Sequence, residues 1–177
     1  MWIEKKEKKD YLDSSTRGLR LVFSDGVNSN LRLECTLFCK WLRAKYFFPI
    51  RIVVRMLSYS EFTTYIGNEN EMKEAVFRYQ LEFDNKAPEE KRLPKIFIAT
   101  GKYDKQQKRH GVNKTTRHYL NSIAHELTHY FQWIFYEFDN RTDRSIEMEA
   151  NSWAGYLVQE YFDDKQEKHI KISDDES

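Results

Sequence analysis

Two apolar stripes at helical spacing dominate the C-terminal half of this sequence and restrict what it can fold into. Tyr119, Ile123, Leu127, Phe131, Ile134 and Phe138 recur every three or four residues, as do Ile146, Ala150, Trp153, Leu157 and Tyr161. At 3.6 residues per turn each set falls on one helix face, which predicts core-packed helices over about 116–137 and 144–162. Upstream the pattern changes to short segments. Leu19, Leu21 and Phe23 alternate and are followed by Ser24-Asp25-Gly26, which predicts a strand and a turn. Asn28-Ser29-Asn30 offers N-cap residues for a helix over Leu31–Tyr46, with Leu31, Cys35, Phe38 and Leu42 on one face. Pro49 precedes a β-branched run, Ile50–Leu57, expected as a buried strand. Ser60–Ile66 is expected as a short helix stopped by Gly67.

Glu74–Phe83 has a period of two. Ala75, Phe77, Tyr79, Leu81 and Phe83 face one side, and Arg78, Gln80 and Glu82 the other, which suits a strand near a sheet edge. Pro94–Thr100, with Ile96, Phe97 and Ile98, is expected as a further strand. The expected architecture is therefore α+β, a twisted sheet of about four strands backing the two helices. It occupies residues 16–162, between charged flexible tails at 1–15 and 163–177.

Composition narrows the function classes. The 29 Lys+Arg and 28 Asp+Glu leave a net charge of +1, without the basic excess of a dedicated nucleic-acid binder. No apolar run approaches the ~18 residues of a membrane-spanning helix. Met1–Lys9 has charge but no apolar core of a signal peptide. A cytoplasmic protein without a membrane partner is expected. Cys35 and Cys39 lie four apart in a predicted helix, an arrangement that resists a bridge, so two reduced thiols are expected.

The first C-terminal helix contains His125-Glu126-Leu127-Thr128-His129, the His-Glu-x-x-His pattern. Side chains four apart on a helix differ by only ~40° in azimuth, so both imidazoles reach one small ion. Glu126 stands beside them, placed to act as general base on a metal-held water. Zinc in a catalytic site takes a third protein ligand and keeps a fourth position open. His169 is forty residues on, among charges, and a poor candidate. Glu147 is the favoured third ligand, with Glu149, ~200° round the helix, as the alternative. Asn151, four after Glu147, is either a plain polar residue or the partner of a ligand histidine's second ring nitrogen. A further donor for a developing oxyanion is expected among Tyr103, His110, Arg141 and Tyr156.

These residues resemble the gluzincins, zinc peptidases with His-Glu-x-x-His on one helix and a glutamate ligand on the next. The likeness is greatest to the ImmA/IrrE family. Ala124-His125-Glu126-Leu127-Thr128-His129 is similar to that family's Ala-His-Glu-Leu-Gly-His, with Thr128 for the glycine. Glu147-Met148-Glu149-Ala150-Asn151-Ser152-Trp153-Ala154 is similar to its Glu-x-Glu-Ala-Asn-x-Phe-Ala, with Trp153 for the phenylalanine. The resemblance covers about residues 117–160. It implies a zincin-like metallopeptidase domain, a Zn2+ cofactor and a protein or peptide substrate cut at few sites. Residues 101–117 carry Lys102, Lys105, Lys108, Arg109, Lys114 and Arg117 against Asp104 alone, and are expected as a loop at the rim of the cleft. That loop is either simply solvated or a contact for acidic peptides or DNA. A peptidase-like binding module without activity, and a toxin or DNA-associated metalloprotease, are the alternatives to a zinc endopeptidase.

Overall fold

The computed structural model describes residues 2–4, 18–66, 69–78, 94–135 and 141–175. Strand β1 (Leu19–Phe23) is followed by helix α1 (Ser29–Lys45) and strand β2 (Ile52–Leu57). Asn28 begins α1 by accepting hydrogen bonds on its side chain from the Asn30 and Leu31 N–H groups. Arg43 and Lys45 complement the negative end of the helix. Strands β3 (Phe62–Ile66) and β4 (Glu69–Lys73) form an antiparallel pair of their own. Strands β5 (Ala75–Arg78) and β6 (Lys95–Ala99) complete a four-stranded mixed sheet of order β1-β2-β6-β5. The β1-β2 and β2-β6 pairs are parallel, and β5 runs antiparallel to β6 along one edge. Helices α2 (Tyr103–His110), α3 (Val112–Ile134) and α4 (Asp143–Asp175) follow, so the class is α+β. Among the described residues no helix is long and apolar enough to cross a membrane.

The α3 stripe forms the centre of the core. Tyr119, Leu120, Ile123, Leu127, Tyr130 and Phe131 are buried, together with Ala154, Leu157 and Val158 of α4 and Ile96 and Ile98 of β6. The Tyr130 hydroxyl donates to the Ile50 carbonyl at 2.6 Å and accepts from the Ile50 N–H at 3.1 Å, tying α3 to the chain just before β2. Cys35 and Cys39 are free thiols buried on α1. Burial pushes the Cys39 thiol up to about 12 and raises Cys35 well above its usual value.

Four expectations need correction. Residues 62–66 are a strand, not a helix: Thr63, Thr64 and Ile66 are β-branched and Phe62 and Tyr65 aromatic, and pairing with β4 uses that preference. Residues 101–117 are not a loop. Buried Tyr103 anchors α2, Asp104 sits in its first turn, and Lys108, Arg109 and His110 sit in its last. Gly111, at φ +82°, then permits the break before α3, whose first residue is Val112 rather than one near 116.

The third and fourth corrections concern the ends. Helix α4 runs to Asp175, beyond the expected 162, and its added length is bound to α1. The Trp41 indole N–H donates to Asp164 at 2.7 Å, and Lys165 pairs with Glu34 at 2.7 Å. At the other end Trp2 and Ile3 belong to the core, and Glu4 bridges Tyr46. The Trp2 ring centroid lies 4.7 Å from that of Phe131, and its indole N–H donates to Thr128 Oγ1 at 3.2 Å. The remainder of the expected N-terminal tail, residues 5–15, lies outside the described residues, as does the 79–83 end of the expected edge strand.

Candidate metal centre

Helix α3 places His125 and His129 one turn apart on the face away from its core stripe, and α4 brings Glu147 up to them. The two Nε2 atoms are 3.0 Å apart. Glu147 Oε2 lies 3.3 Å from His125 Nε2, and Oε1 lies 3.3 Å from His129 Nε2. A tetrahedral ion with ligands at 2.0–2.2 Å spaces its donor atoms by roughly 3.3–3.6 Å. The three side chains therefore already stand near the separations such an ion imposes. Glu147, rather than Glu149, occupies this position.

The outer ring nitrogens settle which atoms face the centre. Gln132 donates its amide N–H to the Ile146 carbonyl at 3.0 Å, with Glu149 Oε2 at 3.4 Å. Its oxygen is therefore the atom 2.7 Å from His129 Nδ1. An amide oxygen only accepts, so Nδ1 carries the proton and the Nε2 lone pair points inward. Asn151 Oδ1 stands 3.2 Å from His125 Nδ1 with the same polarity. Burial, followed by the neighbouring His129, lowers the pKa of His125 and favours its neutral form. Two lone pairs aimed at one point repel unless a cation lies between them. This donor set fits a divalent ion.

Glu126 is buried beside the pair. Burial raises its carboxyl to about 7, and the nearby Glu147 charge adds to the rise. A backbone hydrogen bond from Phe77 and the charge of Lys73 act in the opposite direction. The register explains the Phe77 contact. The Ala99 N–H donates to the Glu74 carbonyl at 2.7 Å, so residues 74, 76 and 78 bond to β6. The backbone groups of Ala75 and Phe77 then turn to the free edge of the sheet, toward α3. Lys102 holds the start of β5 by pairing with Glu74 at 2.9 Å and with Glu61.

A cleft of about 430 Å³ lies between these walls. His125, Glu126, His129 and Glu147 line the helical side. Lys73, Ala75, Val76 and Phe77 line the strand side, and Asp143 and Ile146 close one end. None of the four expected oxyanion donors is among the lining residues. The Tyr103 hydroxyl is buried 3.3 Å from Thr116 Oγ1, and Arg141 pairs with Glu149 and with Ser145. His110 is exposed at the end of α2, and Tyr156 stands beside Trp153 at a different cavity. Lys105, Lys108 and Arg109 are exposed on α2 and do not line the cleft either.

Sequence reasoning missed Gln132, Lys73 and the Phe77 backbone. For Gln132 a signal existed: it is a lone amide among Tyr130, Phe131, Trp133 and Ile134, three residues after the second histidine of the motif. Lys73 and Phe77 reach the cleft through strand pairing, which no local pattern reveals. Compared with protein-family models, curated proteins and solved structures, the chain matches none.

Proposed function

We propose that this protein is a metal-dependent hydrolase with a resident zinc ion. More narrowly, we propose a zincin-like endopeptidase of the gluzincin kind, similar to the ImmA/IrrE peptidases, acting on a protein or peptide. The observation that carries the reading is the convergence of His125 Nε2, His129 Nε2 and Glu147 on one point, with both Nδ1 atoms held by amide oxygens and a buried carboxyl alongside. Zinc held by two imidazoles and a carboxylate keeps a coordination position open and supplies Lewis acidity to water and to a carbonyl oxygen.

The chain's own groups do the rest. Glu126 takes the proton from the attacking water and returns it to the departing amine nitrogen, as a general base and then a general acid. An extended peptide lies along the outer edge of β5, where the free backbone groups of Ala75 offer strand-like hydrogen bonds. Lys73 lines the facing wall and its charge acts on Glu126, so it lends positive charge to the cleft in which negative charge develops on the carbonyl oxygen.

The test is cleavage of a peptide library by zinc-loaded wild type and by Glu126→Gln. Wild type cuts and the variant, still holding metal, does not. A wild type that binds peptides and leaves them whole would favour the inactive binding module. The exposed Lys105, Lys108 and Arg109 of α2 favour a second, accessory partner, an acidic segment or nucleic acid. Duplex DNA then raises the cleavage rate, and Lys108→Glu removes the increase.

A further inference from the structure

The four-stranded sheet has two edges. β5 forms the one at the metal centre, and β1 forms the other, three inter-strand spacings or roughly 14 Å away. In a parallel pair every second residue turns both backbone groups to its neighbour. The Ile52 N–H donates to the Gly18 carbonyl and the Ser24 N–H to the Met56 carbonyl, each at 2.9 Å. Residues 18, 20, 22 and 24 are therefore the ones bonded to β2. Leu19, Leu21 and Phe23 turn their N–H and C=O groups outward. Among the described residues β1 pairs with β2 alone, and of these outward groups the Leu19 carbonyl has a partner, Arg43 Nη1 at 3.1 Å.

A groove of about 530 Å³ runs along this edge between β1 and α1. Leu21, Phe23 and Thr36 are among its lining residues, and its charged lining residues are Arg20, Arg43 and Arg51, with no carboxylate among them. Arg20 makes a further contact of its own. Among the described residues no carboxylate pairs with Arg43 or Arg51, so these two carry the selection of charge. Arg32 of α1, its guanidinium 5.0 Å over the Phe23 ring, adds positive charge toward the end of β1.

Two independent features thus point to one kind of occupant. The edge presents donors and acceptors in turn at strand spacing, an order that another extended polypeptide backbone matches. The arginines set its sign as negative. A nucleic-acid phosphate backbone would answer the charge but brings no donor for the outward Leu21 and Phe23 carbonyls. We propose that the β1 edge is a docking site where an extended acidic segment of a partner polypeptide adds as a further strand, its carboxylates pairing with Arg43 and Arg51. The site lies on the edge opposite the metal centre and does not depend on the peptidase reading.

Anisotropy titration of the full chain with a labelled peptide of alternating Glu and Val tests it, beside the corresponding Lys/Val peptide and oligothymidylate as competitor. The acidic peptide binds roughly tenfold more tightly than the basic one, and Arg51→Glu weakens it several-fold with an unchanged unfolding midpoint. Oligothymidylate does not displace it. N-methylation of one alternate set of its amides, the set that faces β1, removes binding, and N-methylation of the other set is tolerated. In wild type, hydrogen exchange at the Leu21 and Phe23 amides slows when the acidic peptide is added. Equal binding of the two peptides, binding of neither, displacement by oligothymidylate, indifference to N-methylation of either set, or unslowed exchange at Leu21 and Phe23 would overturn the proposal.

Discussion

The two walls of the cleft hold their groups by different means. On the helical wall both histidines are side chains held from behind by an amide side chain. His129 is backed by Gln132, Gln132 by Glu149, and Glu149 by Arg141, a relay that ends on the first turns of α4. The strand wall presents backbone atoms of β5 and one charged side chain, Lys73, at the end of β4. Their positions depend on register and on the Lys102–Glu74 contact at the strand's start. Under the proposed function, the helical wall would hold an ion in fixed geometry, and the strand wall would meet an extended chain whose sequence can vary.

Substitutions on each wall should therefore fail differently. The largest effect after loss of the general base is expected on the strand wall. Lys73→Met lowers kcat by about 10²–10³-fold while metal content and KM change little, and Lys73→Arg restores much of the rate. A rate within a few-fold of wild type would leave the strand wall with no electrostatic part in the reaction. On the helical wall the expected loss is in the metal. Gln132→Ala weakens zinc affinity by roughly 10–100-fold in competition with a chelating indicator. Asn151→Ala costs less, because exposed Asn151 lacks the relay that backs Gln132. Equal losses would show that the two histidines are held alike.

Gly101→Ala acts on the frame common to both walls. A Cβ there falls 2.5 Å from the Ser58 carbonyl oxygen and 2.8 Å from the Tyr59 carbonyl carbon, so the end of β2 must move away from the turn into α2. The expected cost is about 1–3 kcal/mol in urea unfolding. The smallest effect is expected at the thiols, which belong to neither wall. Their raised pKa values keep the neutral form, so alkylation at about pH 8 leaves Cys35 and Cys39 unmodified until the chain unfolds.

The contrast between the walls also marks what the sequence could disclose. The pattern of His125, Glu126 and His129 and the four-residue offset from Glu147 to Asn151 are local helical facts, legible from spacing alone. The edge position of β5 was legible too, because Phe77 and Arg78 alternate as a half-buried strand does. Long-range pairing was not. Phe62–Ile66 has a partner, β4, which only the fold supplies. Helix α2 is so polar that one buried tyrosine, Tyr103, was its whole apolar signal. Trp2 was hidden by the charges that follow it, although its indole reaches Thr128 in the motif helix. The end of α4 was obscured in the same way, since Asp164 and Lys165 dock by charge and not by an apolar stripe.

Metal analysis of the purified chain tests the centre most directly. One zinc per chain is expected in wild type and in Glu126→Gln, with stoichiometric metal lost in both His129→Ala and Glu147→Ala while the fold persists. A folded wild type that takes up no transition metal, or a Glu147→Ala variant that holds zinc as tightly as wild type, would contradict the account.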